Sequence, residues 1–237
     1  MMYKSAVPNG LKAIPTHVAL KESAQLRKIG FVKISSLIKY SLSSALEQDA
    51  IASVEKSRLV CDSWIPNLEK NIQETTSYQS ARRSQPTNVL MQFQIALLPL
   101  LQVLTGNILV PSDSWYIYYE GTDGISLHVD PKESDISVLT SVLGEVGPLH
   151  LHPDLEGQSQ NQLDSYYKGV DWNPIGGIPL RYPCDGIIIN RGHRIPHHRA
   201  GKPISQLCAV AALHYTIQSN LLYDVAVSRP GRFASGN

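Results

Sequence analysis

Ile125-Ser126-Leu127-His128-Val129-Asp130 alternates with the two-residue period of a β-strand. In an extended chain residues i and i+2 leave the same face, so His128 and Asp130 converge while Leu127 and Val129 point away. An imidazole and a carboxylate placed this way, joined by a second imidazole from elsewhere, occupy one face of a divalent ion and leave its other positions open. By itself the tripeptide is weak, because a strand-end histidine and a turn-forming aspartate before Pro131 look the same. The surroundings have to decide.

A third donor is expected downstream, at the end of another strand. Gly186-Ile187-Ile188-Ile189-Asn190 reads as a short buried strand, and Arg191-Gly192-His193-Arg194-Ile195-Pro196-His197-His198-Arg199 follows it directly. A solvated basic loop is the bland explanation for this stretch. Three histidines among nine residues favour a ligand-bearing one instead.

Working outward, strand-like runs cover 107–119, 136–143, 149–152, 178–181 and 205–216, with turns placed at Pro111-Ser112 and Glu120 to Gly124. Many short strands between Gly, Pro and Asp turns indicate a β-sandwich or barrel. Upstream, 18–29 suits a short helix stopped by Gly30, Phe31 to Ile34 a strand, and Ser35 or Ser36 the cap of a helix running toward Val54. Residues 75–87 read as a mobile polar loop, and Asn88 as the cap of an apolar helix ending at Thr105-Gly106. Pro153 to Gly177 is a long polar connection of the kind that usually carries function. The expected architecture is α+β with a mainly β core. A helical layer (1–105), a β core (106–220) and a tail (221–237) form one unit.

The chain has 237 residues, 43% of them hydrophobic and 17% charged, with a net charge of +1, enough for one well-buried domain. So even a balance gives no electrostatic reason to expect nucleic acid. The three cysteines, Cys61, Cys184 and Cys208, lack any C-x-x-C spacing, which argues for a reducing compartment and against a zinc-thiolate site. The first 23 residues hold no apolar stretch long enough for a signal peptide, and no run reaches the roughly 18 uninterrupted apolar residues of a membrane span. A cytoplasmic protein with a small-molecule substrate, and with neither nucleic acid nor membrane as partner, is expected. A zinc hydrolase would also use His/His/Asp donors, but no H-E-x-x-H helix is present. A non-catalytic metal-binding β-helix is the other alternative, and the intact His128/Asp130 pair argues against it.

Taken together, these motifs resemble the Fe(II)/2-oxoglutarate-dependent dioxygenase superfamily, on its prolyl-4-hydroxylase-like side. The likeness is carried by Leu104 to Pro111, Trp115 to Tyr119, Tyr119-Glu120-Gly121 before His128-Val129-Asp130, Asp135 to Val138, Asp185 to Ile188, Pro196-His197-His198-Arg199 and Leu213-His214-Tyr215. It spans roughly residues 100 to 216, and Gly30-Phe31-Val32 adds a weaker match. The resemblance implies a double-stranded β-helix (a cupin-like jelly roll) with an N-terminal helical layer. It also implies Fe(II), 2-oxoglutarate and O2 as cofactor and co-substrates, with ascorbate as a supporting reductant. The implied reaction is hydroxylation with release of succinate and carbon dioxide. Because Asp130 is present, no position is freed for a halide.

The same resemblance implies the roles of particular residues. His128, Asp130 and His197 would hold the metal and carry catalysis. His193 is the alternative distal ligand, with Lys202 nine residues on in the place of the cation that binds the far carboxylate of 2-oxoglutarate. With His197 as ligand that place falls on Gln206, so Arg199 or Lys202 would have to serve, with Tyr119 as a hydrogen-bond donor. His150, His152 and His214 read more simply as strand histidines. Tyr166, Tyr167, Asp171 and Trp172 could close over substrate. The substrate class stays open between an amino acid or natural-product precursor and a peptide.

Overall fold

Both faces of the central strands have to be buried, and the sequence provides for it by replacing alternation with continuous apolar runs. The computed structural model describes residues 10–59, 81–121, 124–167, 176–199 and 204–218. In chain order the elements are α1 (Thr16–Ile29), β1 (Phe31–Ile34), α2 (Tyr40–Ser53), β2 (Arg58–Leu59), β3 (Arg82–Arg83), α3 (Asn88–Thr105), β4 (Leu109–Gly121), β5 (Ile125–His128), β6 (Ile136–Leu143) and β7 (Leu149–Leu151). They continue with α4 (Gln160–Tyr167), β8 (Ile178–Leu180), β9 (Ile187–Asn190), β10 (His197–Arg199) and β11 (Ile204–Ile217).

The strands form two antiparallel sheets. The larger has the order β1-β9-β6-β11-β4-β3-β2 and the smaller β5-β10-β7-β8. Long-range pairing of β11 with both β4 and β6 makes β11 the spine of the larger sheet. Strand parity then divides the core in two. Ala209, Ala211, Leu213 and Tyr215 of β11, with Tyr116 and Tyr118 of β4, pack toward the helices. Cys208, Val210 and Ala212, with Tyr119 and Trp115, face the smaller sheet. The jelly roll expected from the sequence is therefore present, with its functional cavity on the second side.

Helix α3 closes the first side. Thr87 caps it by accepting from the Leu90 amide, and Gly106 ends it in the left-handed region at φ 72°. Leu90, Phe93, Leu97, Leu101 and Leu104 recur at helical spacing and are all buried in the main core. By length and composition α3 is the one helix among the described residues that could cross a membrane. Its buried stripe is used here as the hydrophobic lid of a sheet. Gln94 ties it down further, donating to the carbonyls of Asp113 and His214, while Tyr215 donates to the carbonyl of Gln94.

Several sequence expectations are corrected at element ends. Ser35 and Ser36 do not cap α2, which starts at Tyr40 behind Lys39. Ser36 instead sits at φ 56° and bonds Asp185 across the chain. Asn88 is the first residue of α3 and Thr87 is its cap. Pro111 does not turn the chain: β4 runs through it opposite Tyr215, beside a register shift that accommodates its missing N–H. Arg82 and Arg83, read as part of a loop, form a strand between β4 and β2; 75–80 lie outside the described residues. The Pro153 to Gly177 connection contains α4, while Asp171, Trp172 and the side chains of Tyr166 and Tyr167 lie outside the described residues.

Leu97 is fully buried and Ile95, two positions away, is 58% exposed. Leu97→Ala is expected to cost about 2–5 kcal/mol of unfolding free energy, whereas Ile95→Ala stays within about 0.5 kcal/mol. Urea denaturation followed by circular dichroism measures both.

Candidate metal centre

Antiparallel pairing of β10 with β5 puts His197 directly opposite His128. Cross-strand neighbours of this kind bring their side chains together on one face, and the two rings lie 4.4 Å apart, centroid to centroid. β5 stops at His128, and Asp130 beyond it is held by its amide donating to the Gly192 carbonyl at 3.1 Å. The result is a three-donor group of His128, Asp130 and His197. Asp130 Oδ1 lies 3.7 Å from His128 Nε2 and 3.6 Å from His197 Nε2. Donors bound at about 2.1 Å to one ion and separated by 90–120° stand about 3.0–3.6 Å apart, so these separations lie at the wide limit of what one ion needs.

The tautomers fit as well. His128 Nδ1 lies 2.8 Å from the Ser126 carbonyl and His197 Nδ1 2.9 Å from the Ile195 carbonyl. A carbonyl can only accept, so each Nδ1 carries the proton and each Nε2 turns its lone pair inward. Burial by itself pushes the Asp130 carboxyl up, but His197 and His128, with His214 behind them, outweigh it and hold Asp130 well below the usual carboxylate range. His197 is pushed up, because the Asp130 charge overcomes the opposing effect of burial. The centre thus favours positive charge, which a divalent cation supplies better than a proton.

Behind the carboxylate stands a clamp. Ser137 on β6 donates to Asp130 Oδ2 at 2.5 Å, and His214 Nδ1, 3.1 Å from the Ser137 oxygen, completes the chain. Ser137 has given its proton to Asp130, so His214 must donate through Nδ1. His214 is buried and pushed down, chiefly by that burial, and its ring lies 4.7 Å from the Trp115 ring. Gly192 packs against this contact so closely that a side-chain carbon there would overlap both Ser137 Oγ and Asp130 Oδ2. Oδ2 is held from behind, and Oδ1 alone is presented to the histidines.

The centre opens into a cavity of about 330 Å³. Trp115, Ile117 and Tyr119 of β4 line one wall, with Leu139 and Ala212 from the neighbouring strands; Ile125, Leu149 and His198 line the facing one. Arg199 lies at the closed end, 1% exposed, its guanidinium 4.4 Å over the Tyr119 ring. Tyr182 stands beside them, its hydroxyl pushed up by burial first and Tyr119 second. Gln160 of α4 pins β5 by accepting from the Val129 amide and donating to the Leu127 carbonyl.

No family model and no curated protein matches the sequence. Solved structures match the fold. A prolyl hydroxylase from Trichoplax adhaerens, in complex with a hypoxia inducible factor peptide fragment, aligns at TM-score 0.63 and 14% identity over 90% of this chain and 94% of that one. The non-heme alpha-ketoglutarate-dependent epimerase SnoN of nogalamycin biosynthesis aligns at 0.65 and 8%, covering 86% and 84%. HygX from Streptomyces hygroscopicus, with nickel, 2-oxoglutarate and hygromycin B bound, aligns at 0.57 and 10%, covering 84% and 87%. The chain has the 2-oxoglutarate oxygenase fold. At such identities the likeness is one of fold, and the donor assignment rests on the distances above.

Within this fold the residues singled out from sequence separate cleanly. His128, Asp130, His197, Tyr119 and Arg199 share the cavity. His193 does not: it lies 3.6 Å from Asp135, in a separate depression beside Arg27 and Arg191. Gln206 is exposed on β11 and does not line the cavity, and Lys202 lies outside the described residues. The rest of the basic stretch has structural partners, since Arg191 and Arg194 both pair with Glu156. His152 bonds His198 at 2.9 Å and His150 stacks on it at 4.7 Å. Burial, then the His152 and His150 imidazoles, push His198 down to about 3, so its ring is neutral near pH 7. Ser137, Gly192 and the role of His214 were missed. Strand parity placed Ser137 and His214 on the cavity side, but no local signal pairs residues 77 positions apart.

Ser137→Ala is expected to weaken Co(II) affinity about 10-fold to 100-fold, while Ser137→Thr keeps most of it. Competition titration against a chelating dye reads this directly, and unchanged affinity in Ser137→Ala would remove the clamp.

Proposed function

We propose that this chain is an Fe(II)- and 2-oxoglutarate-dependent oxygenase that hydroxylates a C–H bond of a small molecule. One observation carries the reading: a His128/Asp130/His197 donor set opens into the same cavity that holds a buried arginine. Iron would be held by His128 Nε2, Asp130 Oδ1 and His197 Nε2. When bound, it supplies oxygen activation coupled to decarboxylation of 2-oxoglutarate to succinate and carbon dioxide.

The chain's own residues bind, orient and exclude water. A guanidinium buried in an apolar pocket is stable against a carboxylate, which it grips with paired N–H donors. Arg199 accordingly receives the far carboxylate of 2-oxoglutarate, and Tyr119 beneath it fixes the plane of the fork. Ile117, Leu139, Leu149 and Ala212 wall the cavity with carbon, which keeps water from the reacting centre. The Ser137–His214 clamp keeps Asp130 on one donor oxygen and so leaves open the positions that co-substrate and oxygen need.

A volume of about 330 Å³ sits at the small end of the range for small-molecule sites, which supports an amino acid or natural-product precursor as substrate. A peptide hydroxylase is the second reading, supported by the fold match to a peptide-bound prolyl hydroxylase. Succinate formation with Fe(II), stimulated by free amino acids or instead by prolyl peptides, separates the two.

Three substitutions test the assignment. Asp130→Ala is expected to abolish succinate formation, and retained full turnover would refute the donor set. Arg199→Gln raises the 2-oxoglutarate concentration for half-maximal rate by about 10-fold or more, through loss of a charge-assisted pair. His197→Ala loses metal affinity, read by competition titration, while His193→Ala keeps it.

A further inference from the structure

Arg82 and Arg83 are consecutive on β3, so their side chains leave opposite faces of the sheet. Arg82 has an acid, Glu120, at 3.8 Å. Arg83 instead pairs with Ile117, turns to the cavity side and lies 5.1 Å over the Trp115 ring. Among the described residues it has no acidic partner. It lines the cavity among the half-buried Trp115, Ile117, Ile125 and Ser126, whereas Arg199 is 1% exposed.

The cavity therefore offers two cations at two depths on otherwise apolar walls. If the oxygenase reading holds, on which this inference rests, both carboxylates of 2-oxoglutarate are already committed, one at the metal and one at Arg199. The only described carboxylate lining the cavity, Asp130, is also committed to the metal. Among the described residues no anionic group remains for Arg83. A guanidinium stacked on an indole keeps its edge N–H donors free in the plane of the fork. Such an edge is shaped for a carboxylate arriving from outside, and the Trp115, Ile117 and Ile125 surfaces beside it are shaped for an apolar body.

We propose that Arg83 and Trp115 form the substrate-recognition end of the cavity and select a small carboxylic acid with an apolar or aromatic body, the acid bound by Arg83 and the body packed between Trp115 and Ile125. The carboxylate then anchors the substrate at the rim. Its carbon chain runs inward past Ile117 toward the His128 side of the metal centre.

The test uses the full chain loaded with Ni(II) and 2-oxoglutarate, so that binding is read without turnover. 2-Oxoglutarate binding is measured first, by calorimetry, and its failure would count against the oxygenase reading alone. Phenylacetate and hexanoate are then compared with phenylacetamide and hexanamide by ligand-observed NMR titration. Each acid is expected to bind about 10-fold tighter than its amide, as a charge-assisted pair does relative to a neutral one. In Arg83→Gln the acids fall to the level of the amides, Arg83→Lys retains the preference, and 2-oxoglutarate affinity changes less than about 2-fold in both. Equal binding of acids and amides by the unsubstituted protein, binding of neither, or a preference that survives Arg83→Gln would overturn the proposal.

Discussion

Asp130 is an ionised carboxylate in the interior, and the rest of the site is arranged around the cost of keeping it so. An isolated buried charge would neutralise itself by taking up a proton. Here His128 and His197 face one oxygen, while Ser137, backed by His214, holds the other. The two oxygens are thereby made different. One points at a position where two lone pairs also point, and the other is fixed to the larger sheet. Removing any member leaves a buried charge less compensated, which is why the group behaves as a unit.

That arrangement needs two sheets to meet at a set distance. His128 and His197 come from the smaller sheet, and Ser137 and His214 from adjacent strands of the larger one. Asp130 bridges them, drawn to the larger sheet by Ser137 and held in line by the Gly192 carbonyl. The helical layer contributes indirectly. By burying the far side of β4, β6, β9 and β11, α3 and its partners fix the curvature of the sheet whose near side carries the cavity. Arg199, Tyr119 and Tyr182 line the cavity together, and β3 and the edge strand β5 contribute Arg83, Ile125 and Ser126 to it.

Strands announce themselves by local pattern, and this chain follows the rule closely at Ile136–Leu143 and over nearly all of Ile204–Ile217. Exceptions arise where a distant partner overrules the local signal. Pro111 reads as a turn but is carried inside β4 by pairing with Tyr215. Ser36 reads as a helix cap but is bound by Asp185, 149 positions away. His197 to Arg199 is too short and too polar to look like a strand, and it is one only because β5 and β7 lie on either side.

The sequence by itself determined the pair His128 and Asp130, since two residues two positions apart in an extended segment share a face whatever the rest of the chain does. It also determined the two-sided apolar strands, and so the layered β core. Between His193 and His197 it offered a choice and no means of making it, because four residues in a turn can face anywhere. The tertiary structure placed His197 beside His128 and Asp130 by pairing β10 against β5, set His193 against Asp135, placed Arg199 under cover and left Gln206 in solvent. Each of those outcomes depends on which strand becomes the neighbour, a long-range contact that no local periodicity encodes.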